Sequence, residues 1–412
     1  MTATTRRTAV TVFLAFAFAY FLSALLRGVT ATLAPVFSSE LGLRAGDLGL
    51  LAGAYFLGFA ALQLPLGRAL DRHGPRRTLL ALLALAVVGC AAFALASSVP
   101  GLIAARALIG AGVAACLMAP LTCYRHLFTP SAQLRANSWM LMTGSLGMVA
   151  ATLPVQWLLP SWGWRGLFWA LAGLLLVAMV WVAWRVPTDP ASAWVEDASP
   201  DAPARGGYGA IVRHPLFLRM APLGFFVYGG LIAVQALWAG PWLTQVGGAT
   251  PEQAAQGLFV INMAMLLAFM TWGAVMPRLA RHGYSAVWLM ARGLPLCLGL
   301  LFLNVALGPK AGAWHWAAWC VACTFVSVSQ PALAQAFAPG QAGRALSAFN
   351  LVIFGGVFAL QWGMGLLIDL LLSWGWSPVE AFRGTFAAFG LCGLLSYAWF
   401  LRPLTAVAEI PG

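Results

Sequence analysis

From residue 9 to residue 402 the chain repeats one unit: about twenty or more mostly apolar residues, then a short break rich in Gly, Pro and charge. An α-helix needs about 20 such residues to cross a bilayer, and inside lipid it satisfies every backbone N–H and C=O within itself. A chain written this way is expected to fold as a set of membrane-spanning helices. The expected spans are 9–36, 48–70, 78–97, 101–125, 138–159 and 166–186, then 216–245, 253–277, 285–307, 314–337, 346–372 and 382–402. These twelve fall into two groups of six. The expected organisation is an all-α integral membrane protein with six-helix bundles at 1–186 and 216–412. The segment 187–215 joins them as a flexible linker, rich in proline and carrying Asp189, Glu196, Asp197 and Asp201. Only 8% of the 412 residues are charged, against about 25% in an ordinary soluble domain. A soluble enzyme, a nucleic-acid-binding protein and a disordered chain are all excluded on that ground.

The net charge of +12 comes from 23 basic and 11 acidic residues, and Lys310 is the sole lysine. The arginines are dispersed between apolar runs, so they report topology and form no basic patch. With the N-terminus placed in the cytoplasm, Arg6, Arg7, Arg68, Arg72, Arg76, Arg77, Arg125, Arg135 and eight others fall inside. Only Arg44, Arg165, Lys310 and Arg383 fall outside. The positive-inside rule then puts both termini in the cytoplasm of a bacterial inner membrane. The first apolar run follows Arg6-Arg7 but is too long for a cleaved signal, and it is read as the first span.

The halves also repeat each other. Arg72-His73-Gly74 returns as Arg281-His282-Gly283, and Ser161-Trp162-Gly163-Trp164 returns as Ser373-Trp374-Gly375-Trp376. Arg135-Ala136 and Gln156-Trp157 recur in the same order as Arg344-Ala345 and Gln361-Trp362. A duplicated six-helix unit with a site between its copies is a transporter plan.

Between the second and third spans the chain reads Gly67-Arg68-Ala69-Leu70-Asp71-Arg72-His73-Gly74-Pro75-Arg76-Arg77, and the fourth span carries Arg106-Ala107-Leu108-Ile109-Gly110-Ala111-Gly112. These segments resemble the G-x-x-x-D-R-x-G-x-R-R loop and the R-x-x-x-G-x-G motif of the major facilitator superfamily. The resemblance implies a secondary transporter, with the first, fourth, seventh and tenth spans lining a cavity that opens to alternate sides. It assigns Gly67, Asp71, Arg72, Gly74, Arg76, Arg77 and Arg106 to gating. An acid adds little to orientation, so Asp71 argues for a latch between the halves. In the second copy that position is Ala280. The antiporter signature G-P-x-x-G is not matched between Gly144 and Pro154, which disfavours drug export.

Charged residues inside spans are expensive, so each is a candidate for function. Arg27 lies near the middle of the first span, and Tyr20, Ser23, Arg27 and Thr30 form one helical stripe. Arg27 precedes Pro35 by eight residues, as the arginine does in organic-anion and organophosphate transporters of the superfamily. The resemblance implies that it contacts an anionic substrate. Where some of those relatives carry an acid for coupling, this chain has Leu26. Arg292 is read as reaching the cytoplasmic surface. Asp369 is the one acid well inside an expected span, and is read as a proton carrier or as a helix-end residue.

Tyr228, Gln235, Trp238, Asn262, Gln330, Asn350 and Gln361 supply the remaining candidate substrate contacts, as hydrogen-bonding groups or packing surfaces. A second reading stays open, a copper importer built from soft ligands such as Met140, Met142, Met148, Met263, Met265, Met270 and Met276. A third is a multidrug or metabolite exporter. The seven cysteines all lie in apolar runs and read as packing, including the Cys320/Cys323 pair. The chain has no G-x-x-x-x-G-K-[ST] segment, and the five histidines sit near span ends, so neither ATP hydrolysis nor other catalysis is expected. The expected partners are a small-molecule substrate, membrane lipids and coupling protons, on a monomer with no cofactor, metal or nucleic acid.

Overall fold

The computed structural model describes residues 3–128, 130–187, 208–337 and 339–402. No strand occurs among them. The first half contains α1 (Ala3–Leu41), α2 (Ala45–Ala61), α3 (Gln63–Leu95), α4 (Val99–Gly112), α5 (Met118–Leu127), α6 (Pro130–Ala150) and α7 (Leu153–Arg185). The second half begins with the short α8 (Tyr208–Val212), followed by the column α9 (Pro215–Val246) and α10 (Pro251–Arg281). It ends with α11 (Ala286–Leu307), α12 (Ala313–Gln335), α13 (Pro339–Ser373) and α14 (Pro378–Leu401). Most of the linker expected from sequence lies outside the described residues.

Among the described residues nine helices are long and apolar enough to cross a membrane, or ten when Ala45–Ala61 and Gln63–Leu70 count as one bent span. The difference from twelve has a local cause. The fourth expected span is cut between α4 and α5, where Cys116 N–H bonds back to Val113 and Pro120 follows in the first turn of α5. Proline has no N–H and crowds the carbonyl four residues before it, so the ladder does not run straight through. The fifth expected span is cut between α6 and α7, where Pro154 opens the new helix. That cut frees the Ala151 carbonyl, which accepts from the Thr32 hydroxyl of α1 at 2.7 Å.

The sequence repeats build the same turns twice. Gly74 (φ 75°) and Gly283 (φ 79°) close the two Arg-His-Gly turns, and Gly163 (φ 61°) and Gly375 (φ 87°) close the two Ser-Trp-Gly-Trp turns. Each holds a left-handed backbone that glycine adopts without a Cβ clash.

The molecule has a far end, where α1 connects to α2 and α13 to α14, and a near end, where Gly74 lies. Across the two halves α2 runs along α13, α1 packs on α9, and α6 packs on α10. Within the first half, Gly110 of α4 lies so close to α2 that a Cβ there would stand 1.8 Å from the Tyr55 carbonyl oxygen. Gly110→Val is therefore expected to force α2 and α4 apart and to destabilise the protein by about 1–3 kcal/mol. A thermal-unfolding midpoint in detergent equal to that of the wild type would contradict this backbone contact. The far end of the second half is held by an aromatic cluster. Trp242 meets Trp316 edge-to-face at 5.0 Å and Phe386 at 4.9 Å, geometries that add to simple burial.

Candidate functional site

A cavity of about 410 Å³ lies between the halves. From the first half, α1 contributes Tyr20, Ser23 and Arg27, and α6 contributes Gly144, Ser145 and Met148. Facing them are Tyr228 and Gln235 of α9, Asn262 and Met265 of α10, Gln330 of α12, and Asn350 of α13. Phe59, Phe269, Ile353 and Phe354 supply apolar wall. The lining continues to Leu141, which is 56% exposed.

Arg27 is half-buried in this cavity. Its electrostatic neighbours are the phenols of Tyr20, Tyr55 and Tyr228, and its buried Nε has no hydrogen-bond partner. Among the described residues no Asp, Glu or His lines the cavity. A guanidinium stays charged at any ordinary pH. Half-buried with no opposite charge beside it, it attracts an anion, since burying a charge without a partner is costly.

Two side chains behind α1 hold that helix on either side of Arg27. The Tyr55 hydroxyl donates to the Ser23 carbonyl at 3.1 Å. Arg106, only 1% exposed, donates from Nη2 to the Thr30 hydroxyl and lies 5.2 Å from the centre of the Tyr55 ring. Tyr55 was not singled out from sequence, because a lone tyrosine in an apolar run carries no signal of what it will touch.

On the opposite wall the amides are paired. Gln235 Nε2 donates to Asn262 Oδ1 at 2.9 Å, and Gln330 Nε2 donates to Asn350 Oδ1 at 2.8 Å. The Tyr228 hydroxyl reaches Gln330 Oε1 at 3.4 Å.

Tyr20, Arg27, Tyr228, Gln235, Asn262, Gln330 and Asn350 thus come together in the cavity, and three other candidates do not. Thr30 is turned to Arg106. Trp238 is completely buried against Phe382. Three stretches of α9 (Leu223–Tyr228, Val234–Trp238 and Trp242–Val246) are π-helical. The wider turn rotates Trp238 off the line that an α-helix would share with Gln235. Gln361 is also fully buried, on the face of α13 that meets α2, where a Cβ on Gly49 would stand 2.2 Å from its carbonyl. Neither side-chain amide atom of Gln361 has a partner. Of the methionines, Met118, Met148 and Met265 line the cavity while Met270 is 47% exposed on α10. Among the described residues no group of His, Cys, Asp or Glu is placed to hold a metal.

At the far end a contact joins the two halves. Asp369 of α13 accepts from the backbone N–H of Ala45 at 3.1 Å and of Gly46 at 2.8 Å, the first two amides of α2. Asp369 therefore ties α13 to the start of α2 and does not line the cavity. At the near end, Arg76 donates to the Ala183 carbonyl of α7 in its own half, and the Thr78 hydroxyl bridges the Gly74 turn to Ala69 O at 3.0 Å. Gly67 has open space around it, and Arg72 and Arg77 are exposed. The side chains of Asp71 and Ala280 lie outside the described residues.

Comparison with known proteins bears on this geometry. Residues 16–360 match the family model described as Major Facilitator Superfamily. A chloramphenicol resistance protein of Streptomyces lividans is 27% identical over 363 residues, covering 83% of this chain and 89% of its own. A hexuronate transporter of Escherichia coli is 28% identical over 159 residues, covering 38% of this chain and 37% of its own. Among solved structures, an inward-facing, unoccupied bacterial homologue of the human lysosomal transporter Spinster aligns with TM-score 0.72 at 18% identity. It covers 95% of this chain and 96% of its own. A D-xylose-proton symporter aligns with TM-score 0.71 at 18% identity, covering 97% and 98%.

Proposed function

Since this chain belongs to the Major Facilitator Superfamily, we propose that it is a secondary transporter for a small organic anion, working by alternating access with Arg27 as the anchor. One observation carries this reading: a permanently charged guanidinium faces a cavity of about 410 Å³ that, among the described residues, has no carboxylate in its lining. An incoming carboxylate replaces the water around Arg27 with charge-assisted hydrogen bonds. The match to a hexuronate transporter, whose named solute is an organic anion, supports the same chemistry.

The near end is assigned to the cytoplasm on the distribution of arginines, with bundles at 1–186 and 216–412 rocking about the cavity. In that frame the shut far end is the outer gate. The loop holding Asp71, Arg72, Arg76 and Arg77 is the latch for the opposite state. Coupling protons would be carried by the substrate or by Asp369, since the cavity lining has no group to hold them.

A second reading is export of a neutral amphipathic compound. The apolar wall of Phe59, Phe269, Ile353 and Phe354 favours it, as does the long match to a chloramphenicol resistance protein. Thermal-shift measurements on the purified protein separate the two, using small carboxylates, phosphate esters and chloramphenicol as ligands. The anion reading expects stabilisation by carboxylates that disappears in Arg27→Ala. Stabilisation by chloramphenicol alone, equal in both proteins, would favour export. Met265→Ala in the same experiment tests the copper reading, which expects loss of stabilisation by Cu(I).

A further inference from the structure

The wall facing Arg27 holds more hydrogen-bonding capacity than the protein uses. Gln235 donates one N–H to Asn262, and Asn262 donates one to the Leu258 carbonyl at 2.9 Å. Gln330 donates one N–H to Asn350 and accepts from Tyr228. An amide carries two N–H donors and an oxygen with two lone pairs. Among the described residues, Gln235 Oε1 and Asn350 Nδ2 have no protein partner, and Gln235 and Gln330 each keep an unused N–H. Gln235 Oε1 and Asn350 Nδ2 are not among the buried atoms that lack a partner, so both are accessible at the cavity their residues line. Flipping an amide exchanges its donor and acceptor ends but leaves the wall with both kinds of group.

A surface offering free donors beside free acceptors matches a hydroxyl, which gives one hydrogen bond and takes others. It does not match an alkyl chain, which would strip water from these amides and replace nothing. The apolar residues Phe59, Phe269 and Phe354 suit the C–H faces of a ring. Among the described residues Arg27 is the one guanidinium in the lining, because Arg106 is buried behind α1 and held by Thr30. A single accessible guanidinium matches a single carboxylate. A cavity of about 410 Å³ has room for a ligand of monosaccharide size.

We propose that the substrate is a hydroxylated carboxylate of about monosaccharide size, its carboxylate on Arg27 and its hydroxyls on the Gln235–Asn262 and Gln330–Asn350 pairs. This inference rests on the anion reading and narrows it.

Calorimetric titration of the full-length protein with three matched rings tests it. D-glucuronate has the charge and the hydroxyls, cyclohexanecarboxylate has the charge alone, and D-glucose has the hydroxyls alone. D-glucuronate is expected to bind at least about tenfold more tightly than either of the others, because each unpaired buried amide group carries a penalty of that order. The double variant Gln235→Ala/Asn350→Ala should abolish the difference between the two acids, weakening D-glucuronate, which loses partners, and strengthening cyclohexanecarboxylate, which no longer strands those amides. The ranking of the three rings on the wild-type protein stands even if that variant folds poorly. Arg27-dependent binding of cyclohexanecarboxylate as tight as D-glucuronate would overturn the hydroxyl inference and leave the anion reading standing. Equal binding of D-glucose and D-glucuronate, unchanged in Arg27→Ala, would overturn the anion reading instead. No binding of any of the three overturns the proposal.

Discussion

Replacing Arg27 with alanine is expected to lower uptake of the transported anion by at least about 30-fold, while leaving the empty protein no less stable. The first effect follows from removing one partner of a desolvated charge pair, which costs about 2–5 kcal/mol. The second runs the other way. The buried Nε of Arg27 has no partner, and no carboxylate lines the cavity to neutralise the charge. Removing an uncompensated charge relieves a desolvation penalty, so the thermal midpoint should hold or rise. Arg27→Lys separates charge from shape. A lysine ammonium keeps the attraction but loses the planar fork that grips a carboxylate at two points. It is expected to retain uptake at about a tenth of the wild-type rate, a loss of roughly one good hydrogen bond to a charged group. Uptake at the wild-type rate in both variants would end the anion hypothesis. Loss of uptake with an equal loss of stability would instead make Arg27 a structural residue.

Much of this site was legible in the sequence because membrane burial makes polar residues rare. An arginine in an apolar run has few reasons to be there, and Arg27 with Tyr20 and Ser23 at helical spacing pointed to one face of α1. The amides Gln235, Asn262, Gln330 and Asn350 were legible as intramembrane polar groups, but their pairing was not. Each pair joins residues 20 or more apart in the chain, and no spacing rule reaches that far. Trp238 went astray because the spacing argument assumes an α-helical turn, and three π-helical stretches in α9 break that assumption without any mark in composition. Thr30 lies on the right stripe of α1 and is diverted by a tertiary partner, Arg106. The divisions of the fourth and fifth spans were signalled by Pro120 and Pro154, which hydropathy alone overlooks. Asp369 illustrates a residue type read correctly as unusual but open in role. Only the packing of α13 beside the start of α2 shows what its carboxylate meets.

That meeting makes a second strong expectation, that Asp369→Ala opens the far end. The first amides of any helix have no partner within it. In α2, Arg44 N–H is taken by Asp47 at 3.2 Å, while Ala45 and Gly46 depend on a carboxylate from the other half of the molecule. Two hydrogen bonds and the positive end of the helix dipole hold the Asp369 carboxylate there. Because the contact spans the halves, it stabilises only the state in which this end is shut, and its loss appears as a change of population. At about 2 kcal/mol, the upper range for a carboxylate at a helix N-terminus, the equilibrium moves by about 30-fold. Opposing that shift, the backbone packing of α2 on α13 at Gly49 remains in the variant. Spin labels at positions 44 and 374, in a background without native cysteines, report the separation directly. The wild-type protein is expected to show mainly the short distance, and Asp369→Ala a large population of a longer one. Asp369→Asn keeps an acceptor oxygen without the charge, mimicking the protonated acid, and should fall between them. If it does, the charge on Asp369 is part of what holds this end shut. An unchanged distance distribution in the alanine variant would remove Asp369 from the gate.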